Sequence, residues 1–229
     1  MVEHIAFVMD GNRRWAKKRG LLNLNGHKEG ANTIRRVVSF CLKNKISYLS
    51  LYTFSLENFR RSKEEKSYLF SLIVNETQKG TKQFVENGVR VRFIGDRSVF
   101  PDHVLPVCEK IEKDTAHLSR LNLNFLFCYG ARQEILNGVK NIAKKVKTGE
   151  INQADISDEL FEQHLWTSGI PEPDLIVRTG DQVRLSNFLL YQSAYSEFYF
   201  FDFMWPDLTE VHLQEVMRDY KNRKRNFGI

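Results

Sequence analysis

With 229 residues, 42% of them hydrophobic and 27% charged, the chain has the size and composition of one large folded domain, not of a disordered or fibrous protein. Its net charge of +6 favours an anionic partner: a phosphate ligand, a nucleic acid or an acidic membrane face. No apolar run approaches the roughly 18 residues of a membrane span, and the three scattered cysteines (Cys41, Cys108, Cys128) lack metal-ligand spacing and read as buried thiols. The expectation is a cytoplasmic protein, at most peripheral at the inner face of the cell membrane.

The chain opens on an uncharged run, residues 5–9, which reads as a strand buried on both faces. Asp10, Gly11, Asn12, Arg13, Arg14 and Trp15 follow at once. Further apolar runs at 48–54, 89–94, 123–128, 174–177 and 198–203 alternate with helical patterns at 27–44, 64–87, 101–119, 131–147 and 208–226. This alternation predicts right-handed crossovers and an α/β domain spanning residues 1–229, with a mostly parallel sheet of about six strands flanked by helices. No Pro/Gly/Ser-rich linker or internal repeat divides it.

Ligands of such sheets bind outside the carboxyl ends of the strands. Those ends carry Asp10, Asn12 and Arg14 after the first run, and Ser55, Glu57, Asn58, Phe59 and Arg61 after the second. Arg178, Arg184 and Ser186 follow the fifth. Arginine forks grip phosphate oxygens in pairs, and a carboxylate among them can hold a divalent cation, so this rim predicts a diphosphate site. His27, placed here at a helix start, could donate to a phosphate. Glu197, beside four aromatics, would need a cation partner if buried. The His pattern shows no zinc spacing, and neither a P-loop nor a dinucleotide-binding glycine turn is present.

In this order the segments His4–Asn12, Arg14-Trp15-Ala16, Gly26–Gly30, Leu51–Asn58, Asp174–Gly180, Arg184–Leu190, Tyr195-Ser196-Glu197 and Trp205-Pro206-Asp207 resemble the cis-prenyltransferases, on the side of the bacterial undecaprenyl diphosphate synthases. The likeness covers essentially the whole chain. It implies condensation of isopentenyl diphosphate, with cis geometry, onto an allylic starter such as farnesyl diphosphate. It further implies Mg²⁺ on Asp10, completed by Glu197 from a neighbouring subunit of a homodimer. Gly11, Asn12, Arg13, Arg14, Trp15 and His27 would surround the allylic diphosphate, while Arg178, Arg184 and Ser186 would hold isopentenyl diphosphate. Ser55, Glu57, Asn58, Phe59 and Arg61 would belong to a closing loop. Asn58 is there linked to proton removal; an unaided amide is a poor base, so a relay or positioning role suits it better.

The growing chain would need an apolar tunnel, for which Met9, Phe54, Phe70, Val89, Leu121, Leu123 and Phe125 are the expected lining. Four places depart from the family pattern: Asn23 in place of an Arg, Phe59 in place of a Trp, the stretch Asp181-Gln182-Val183 in place of a Gly-Glu-His-like stretch, and Asn226 in place of a second Arg near the C-terminus. An Asp-Asp-x-x-Asp motif, the metal-binding signature of the all-helical trans-prenyltransferases, is absent. The rival readings are a basic RNA-binding module without catalysis, for which aromatic and glycine-clamp motifs are missing, and an inactive scaffolding relative, which would be expected to lack Asp10.

Overall fold

The computed structural model describes residues 2–223. Six strands, β1 (His4–Val8), β2 (Tyr48–Ser55), β3 (Val89–Ile94), β4 (Leu121–Tyr129), β5 (Leu175–Arg178) and β6 (Glu197–Phe200), form one sheet. Their order is β3-β4-β2-β1-β5-β6, and every neighbouring pair runs parallel. The helices are α1 (Asn12–Lys18), α2 (Asn23–Lys43), α3 (Lys63–Glu86), α4 (Leu105–Thr115), α5 (Ala131–Lys147), α6 (Asp158–Glu162) and α7 (Glu210–Asn222). The expected single α/β domain and parallel sheet are thus present.

All five residues of β1 are buried, as a strand covered by helices on both faces must be. Successive side chains alternate between two cores. On one face, Ile5 and Phe7 join Leu49, Leu51, Leu123 and Phe125, covered by Val37 and Phe40 of α2, Phe70 of α3, Ile111 of α4 and Val216 of α7. On the other, Ala6, Val8, Leu126 and Ile176 pack with Phe188 and Leu189. A polar file crosses that second face: His4 bonds Ser50 Oγ at 2.8 Å, Asn124 donates to the same oxygen at 3.2 Å, and Arg92 Nε donates to Asn124 Oδ1 at 3.3 Å. The three cysteines are free and buried, and burial pushes the Cys108 and Cys128 thiols up to about 12.

Two boundaries matter for the site. Helix α2 begins at Asn23, a turn earlier than the apolar pattern predicts, so His27 lies within the helix and not at its start. Helices α1 and α6 have no counterpart among the expected elements; both are too short to show a full apolar period. The basic C-terminal element around Arg225–Gly228 lies outside the described residues.

Candidate active site

The strand order reverses direction at β1, whose neighbours β2 and β5 lead to opposite edges, and this is the position where open α/β sheets bind ligands. Asp10 leaves β1 at that point. Its carbonyl accepts from Trp205 N (2.9 Å) and Thr179 Oγ1 (2.8 Å), which fixes the backbone. Gly11 then takes φ +106, with Met204 packed where a side chain would stand, and turns the chain into α1.

Both carboxylate oxygens of Asp10 face guanidiniums. Arg14 Nη2 donates to Oδ1 at 3.2 Å, and Arg178 Nη2 donates to Oδ2 at 2.9 Å. Arg14 also donates to the Gly180 carbonyl at 2.7 Å. Arg178, almost wholly buried, donates through Nη1 to Ser186 Oγ (2.8 Å) and to the Arg184 carbonyl. Two adjoining hollows of about 500 and 520 Å³ share Asp10, Asn12, His27 and Arg61; one adds Ser55, Asn58, Arg178 and Ser186, the other Arg13 and Arg14. Most of the expected rim residues therefore lie in one place, Phe59 and Arg184 excepted.

Beneath it an apolar cavity of about 120 Å³ runs between the sheet, α2 and α3. Met9, Phe54 and Phe125 line it as expected, joined by Ile34, Leu69 and Leu72, with Gln83 and Phe84 on the α3 turns farthest along the chain from the rim. The other expected lining residues do not. Val89, Leu121 and Leu123 are fully buried in the packed core, and Phe70 packs at tilted and edge-on angles among Phe54, Phe59 and Phe127. Helix α3 supplies much of the wall, β4 adds Phe125 and Phe127, and β3 adds nothing.

Four of the expected site residues lie apart from the two hollows. Trp15 turns away from the hollows: its Nε1 donates to Asp207 Oδ1 at 2.7 Å, and Arg19 lies over its ring at 4.2 Å. Phe59 packs edge-on against Phe54 at 5.3 Å, serving the aromatic cluster under the rim. Arg184 is exposed and donates to Gln182 Oε1. Glu197 starts β6 in register with Leu175, which itself pairs with Ile5, so it lies near the opposite end of the sheet from Asp10. There it pairs with Arg223. One chain by itself therefore does not bring Asp10 and Glu197 together.

The loop after β2 folds as a 3₁₀ turn, Leu56–Arg60, closed by a reciprocal cap between Ser55 and Asn58. The Ser55 N–H donates to Asn58 Oδ1 at 3.1 Å, so that amide oxygen is already engaged. Glu57 accepts from Asn187 Nδ2 at 2.8 Å, tying this loop to the segment carrying Ser186.

Sequence reasoning missed Glu65. Its carboxylate accepts from Arg61 at 3.0 Å and lies 3.8 Å from His27 Nε2 and 3.9 Å from Arg13. The four-residue step from Arg61 was the available signal. Burial, then the Arg61 charge, holds His27 down at about 4 despite Glu65, so the ring is neutral near pH 7. Burial likewise lowers Arg61. His27 Nε2, Asn12 Oδ1 and Arg178 Nε are buried without a hydrogen-bond partner among the described residues. Polar atoms left so at the rim of a hollow are poised for a ligand.

Sequence reasoning also missed Glu134. This fully buried carboxylate accepts from Tyr129 (2.5 Å), the Thr167 N–H (2.9 Å) and hydroxyl (2.8 Å), and Gln192 (3.0 Å). Tyr129 in turn meets Tyr52 edge-on, so the network supports the second core beneath the Ser186 segment.

Fold and rim together define an α/β protein with an arginine-rich hollow at its strand ends and an apolar cavity below it. The comparisons with known proteins narrow this. Residues 8–228 match the family described as putative undecaprenyl diphosphate synthase. The chain is 44% identical to an isoprenyl transferase of Clostridium perfringens, covering 100% of this chain and 90% of that one, and 42% identical to an isoprenyl transferase of Bacillus subtilis, covering 99% and 87%. Its fold superposes with a TM-score of 0.96 on lavandulyl diphosphate synthase from Lavandula x intermedia, solved in complex with dimethylallyl diphosphate (32% identity, 100% and 98% coverage). The TM-score is 0.83 for a probable undecaprenyl diphosphate synthase from Campylobacter jejuni (34% identity, 100% and 99%). The chain belongs to this undecaprenyl diphosphate synthase family and is a cis-prenyltransferase.

Proposed function

We propose that the protein condenses isopentenyl diphosphate units in cis onto farnesyl diphosphate, in a Mg²⁺-dependent reaction, and releases a long polyprenyl diphosphate. The undecaprenyl product of this reading is the lipid-carrier precursor for cell-wall polysaccharide. The observation that carries it is the convergence of Asp10, Arg14, Arg178 and His27 over an apolar cavity. Two charged heads and one apolar tail are what such substrates present.

In this reading the starter's diphosphate lies against Asn12, Arg13, Arg14 and the His27 ring, with its hydrocarbon in the cavity between α2 and α3. The second diphosphate lies against Arg178 and Ser186. The allylic carbon–oxygen bond breaks, a carbon–carbon bond forms to the isopentenyl alkene, and one proton leaves the isopentenyl unit. Guanidinium donors preset around the departing diphosphate stabilise its growing charge without reorganising. Asn58 orients the second substrate, and its engaged amide leaves the proton to a phosphate oxygen or water.

The donor set fits a magnesium ion. Mg²⁺ is usually bound by one or two carboxylates together with substrate phosphates, and Asp10 is the half-exposed carboxylate shared by both hollows. Asp10 would hold it, exchanging an arginine contact for the metal. When bound, the ion supplies neutralising charge to the diphosphate leaving group. Glu197 could contribute only from the second subunit of a homodimer.

The cavity is smaller than the ~300 Å³ of a typical drug-sized site. Elongation to a long product therefore requires α2 and α3 to part. Incubation with farnesyl diphosphate, labelled isopentenyl diphosphate and Mg²⁺ should give one dominant long product, lost on chelation. Absence of any condensation product would overturn the reading.

A further inference from the structure

We propose that the corner between α1 and α2, residues 17–28, is a docking surface for an anionic lipid bilayer. From Gly11 to Lys28 the chain carries Arg13, Arg14, Lys17, Lys18, Arg19 and Lys28 and not one Asp or Glu. Arg13, Arg14 and Lys17 face the diphosphate hollow; Lys18, Arg19 and Lys28 lie outside it on the surface. Between them stand three uncovered leucines, Leu21 (43% exposed), Leu22 (74%) and Leu24 (38%). None of the three lines a hollow or the cavity. The substrate site accounts for the inner cations and Asp207 pairs with Arg19 at 3.1 Å, but neither accounts for Lys18, Lys28 or apolar side chains held in water.

Exposed leucines ringed by lysine and arginine match the composition of an interfacial segment: the apolar groups enter the acyl boundary while the cations meet lipid phosphates. The alternatives fit less well. A two-fold contact between copies through this corner would set cations against cations. Single-stranded RNA would need a free aromatic platform, and Trp15 is tied to Asp207 and covered by Arg19.

The corner borders the hollow that contains Arg13, Arg14, Lys17 and Asn23. Docking would hold that hollow at the level of the lipid phosphates, where a diphosphate-headed lipid could pass into the leaflet. The purpose of docking rests on the proposed activity; docking itself does not.

The test is co-sedimentation of the full chain, without substrates, with vesicles of phosphatidylglycerol and phosphatidylcholine in about equal parts, against phosphatidylcholine alone. Binding is expected only to the anionic vesicles and should fall steeply between about 0.05 M and about 0.5 M salt. Lys18→Glu should weaken it at least about five-fold, given the worth of a basic residue at an anionic surface. Leu21→Ser with Leu22→Ser, which leaves the charge unchanged, should weaken it at least about ten-fold. Condensation measured in detergent should be unaltered in both variants.

Failure of the wild-type chain to bind anionic vesicles, or wild-type binding by both variants, overturns the proposal. So does a leucine effect seen only as altered self-association in sedimentation velocity, or capture of a single-stranded RNA in place of vesicles. Vesicle binding without condensation would instead strike the activity and leave the docking surface standing.

Discussion

Gly26→Ala tests how the rim is held in place. A Cβ at Gly26, on α2, would sit 2.0 Å from the Asn12 carbonyl oxygen, 2.8 Å from its carbon and 3.2 Å from the Ala16 Cβ, all on α1. Backbone cannot rotate out of the way, so α1 must retreat by more than 1 Å, carrying Asn12, Arg13 and Arg14 with it. Overpacking of this kind costs about 1–3 kcal/mol, which in a domain of this size lowers Tm by roughly 3–10 °C. A displacement near 1 Å in a preorganised site costs on the order of a hundred-fold in turnover. Gly138→Ala is the matched control. Its Cβ meets only ordinary contacts at 3.4–3.5 Å inside α5, so the helix should gain about 0.5–1 kcal/mol. Differential scanning calorimetry and steady-state condensation rates read both variants. Equal Tm and equal kcat for Gly26→Ala and the wild type would refute the claim that this contact positions the rim.

Other expected outcomes follow from the same geometry. Asp10→Asn should cut turnover at least about a thousand-fold while diphosphate affinity, measured by calorimetry without metal, stays the same or rises. Phe84→Ala should lengthen products by opening the far end of the cavity, whereas Leu123→Trp should unfold the core without moving the chain-length distribution; product sizing and thermal melting separate the two. Burial lowers His4 to about 4 and His27 to about 4, both below the 6.5 of an unfolded chain. The unfolded state therefore takes up protons first: stability is full above pH ~6.5 and declines as pH falls toward ~4. Each ring accounts for about 2 kcal/mol between pH 7 and pH 5, and urea unfolding of a His4→Gln variant should show a flatter acid limb.

Much of the frame was legible because it rests on period and punctuation. The uncharged run before Asp10 could be buried only as an inner parallel strand, and the charged residues after each run fell on one edge once the strands were parallel. What escaped were consequences of tertiary packing. Nothing in the sequence says that Trp15 turns toward Asp207 or that Phe59 closes an aromatic cluster, since an aromatic residue beside arginines reads as a ligand platform. The cavity wall was misplaced for a related reason. Alternation marks Val89, Leu121 and Leu123 as inward-facing, but it cannot say whether a helix seats directly on them or stands off. The starting point of α2 was lost because its N-cap is Leu22, with no capping side chain, and Asn23-Leu24-Asn25 shows no apolar period.

In the proposed reading Asp10 has two jobs that pull apart. Without ligand its carboxylate is the counter-ion of Arg14 and Arg178, and the near-total burial of Arg178 makes that pairing costly to lose. A diphosphate brings its own negative charge to the same guanidiniums, so it relieves Asp10 of that duty as it binds. The freed carboxylate would then be available to hold a cation carried by the phosphates. Charge balance at the rim is kept through this exchange, with no stage at which a buried guanidinium stands alone. This is why substrate affinity and turnover should separate in Asp10→Asn: the amide cannot act as counter-ion or hold a metal strongly, yet it leaves two arginine forks more available to phosphate.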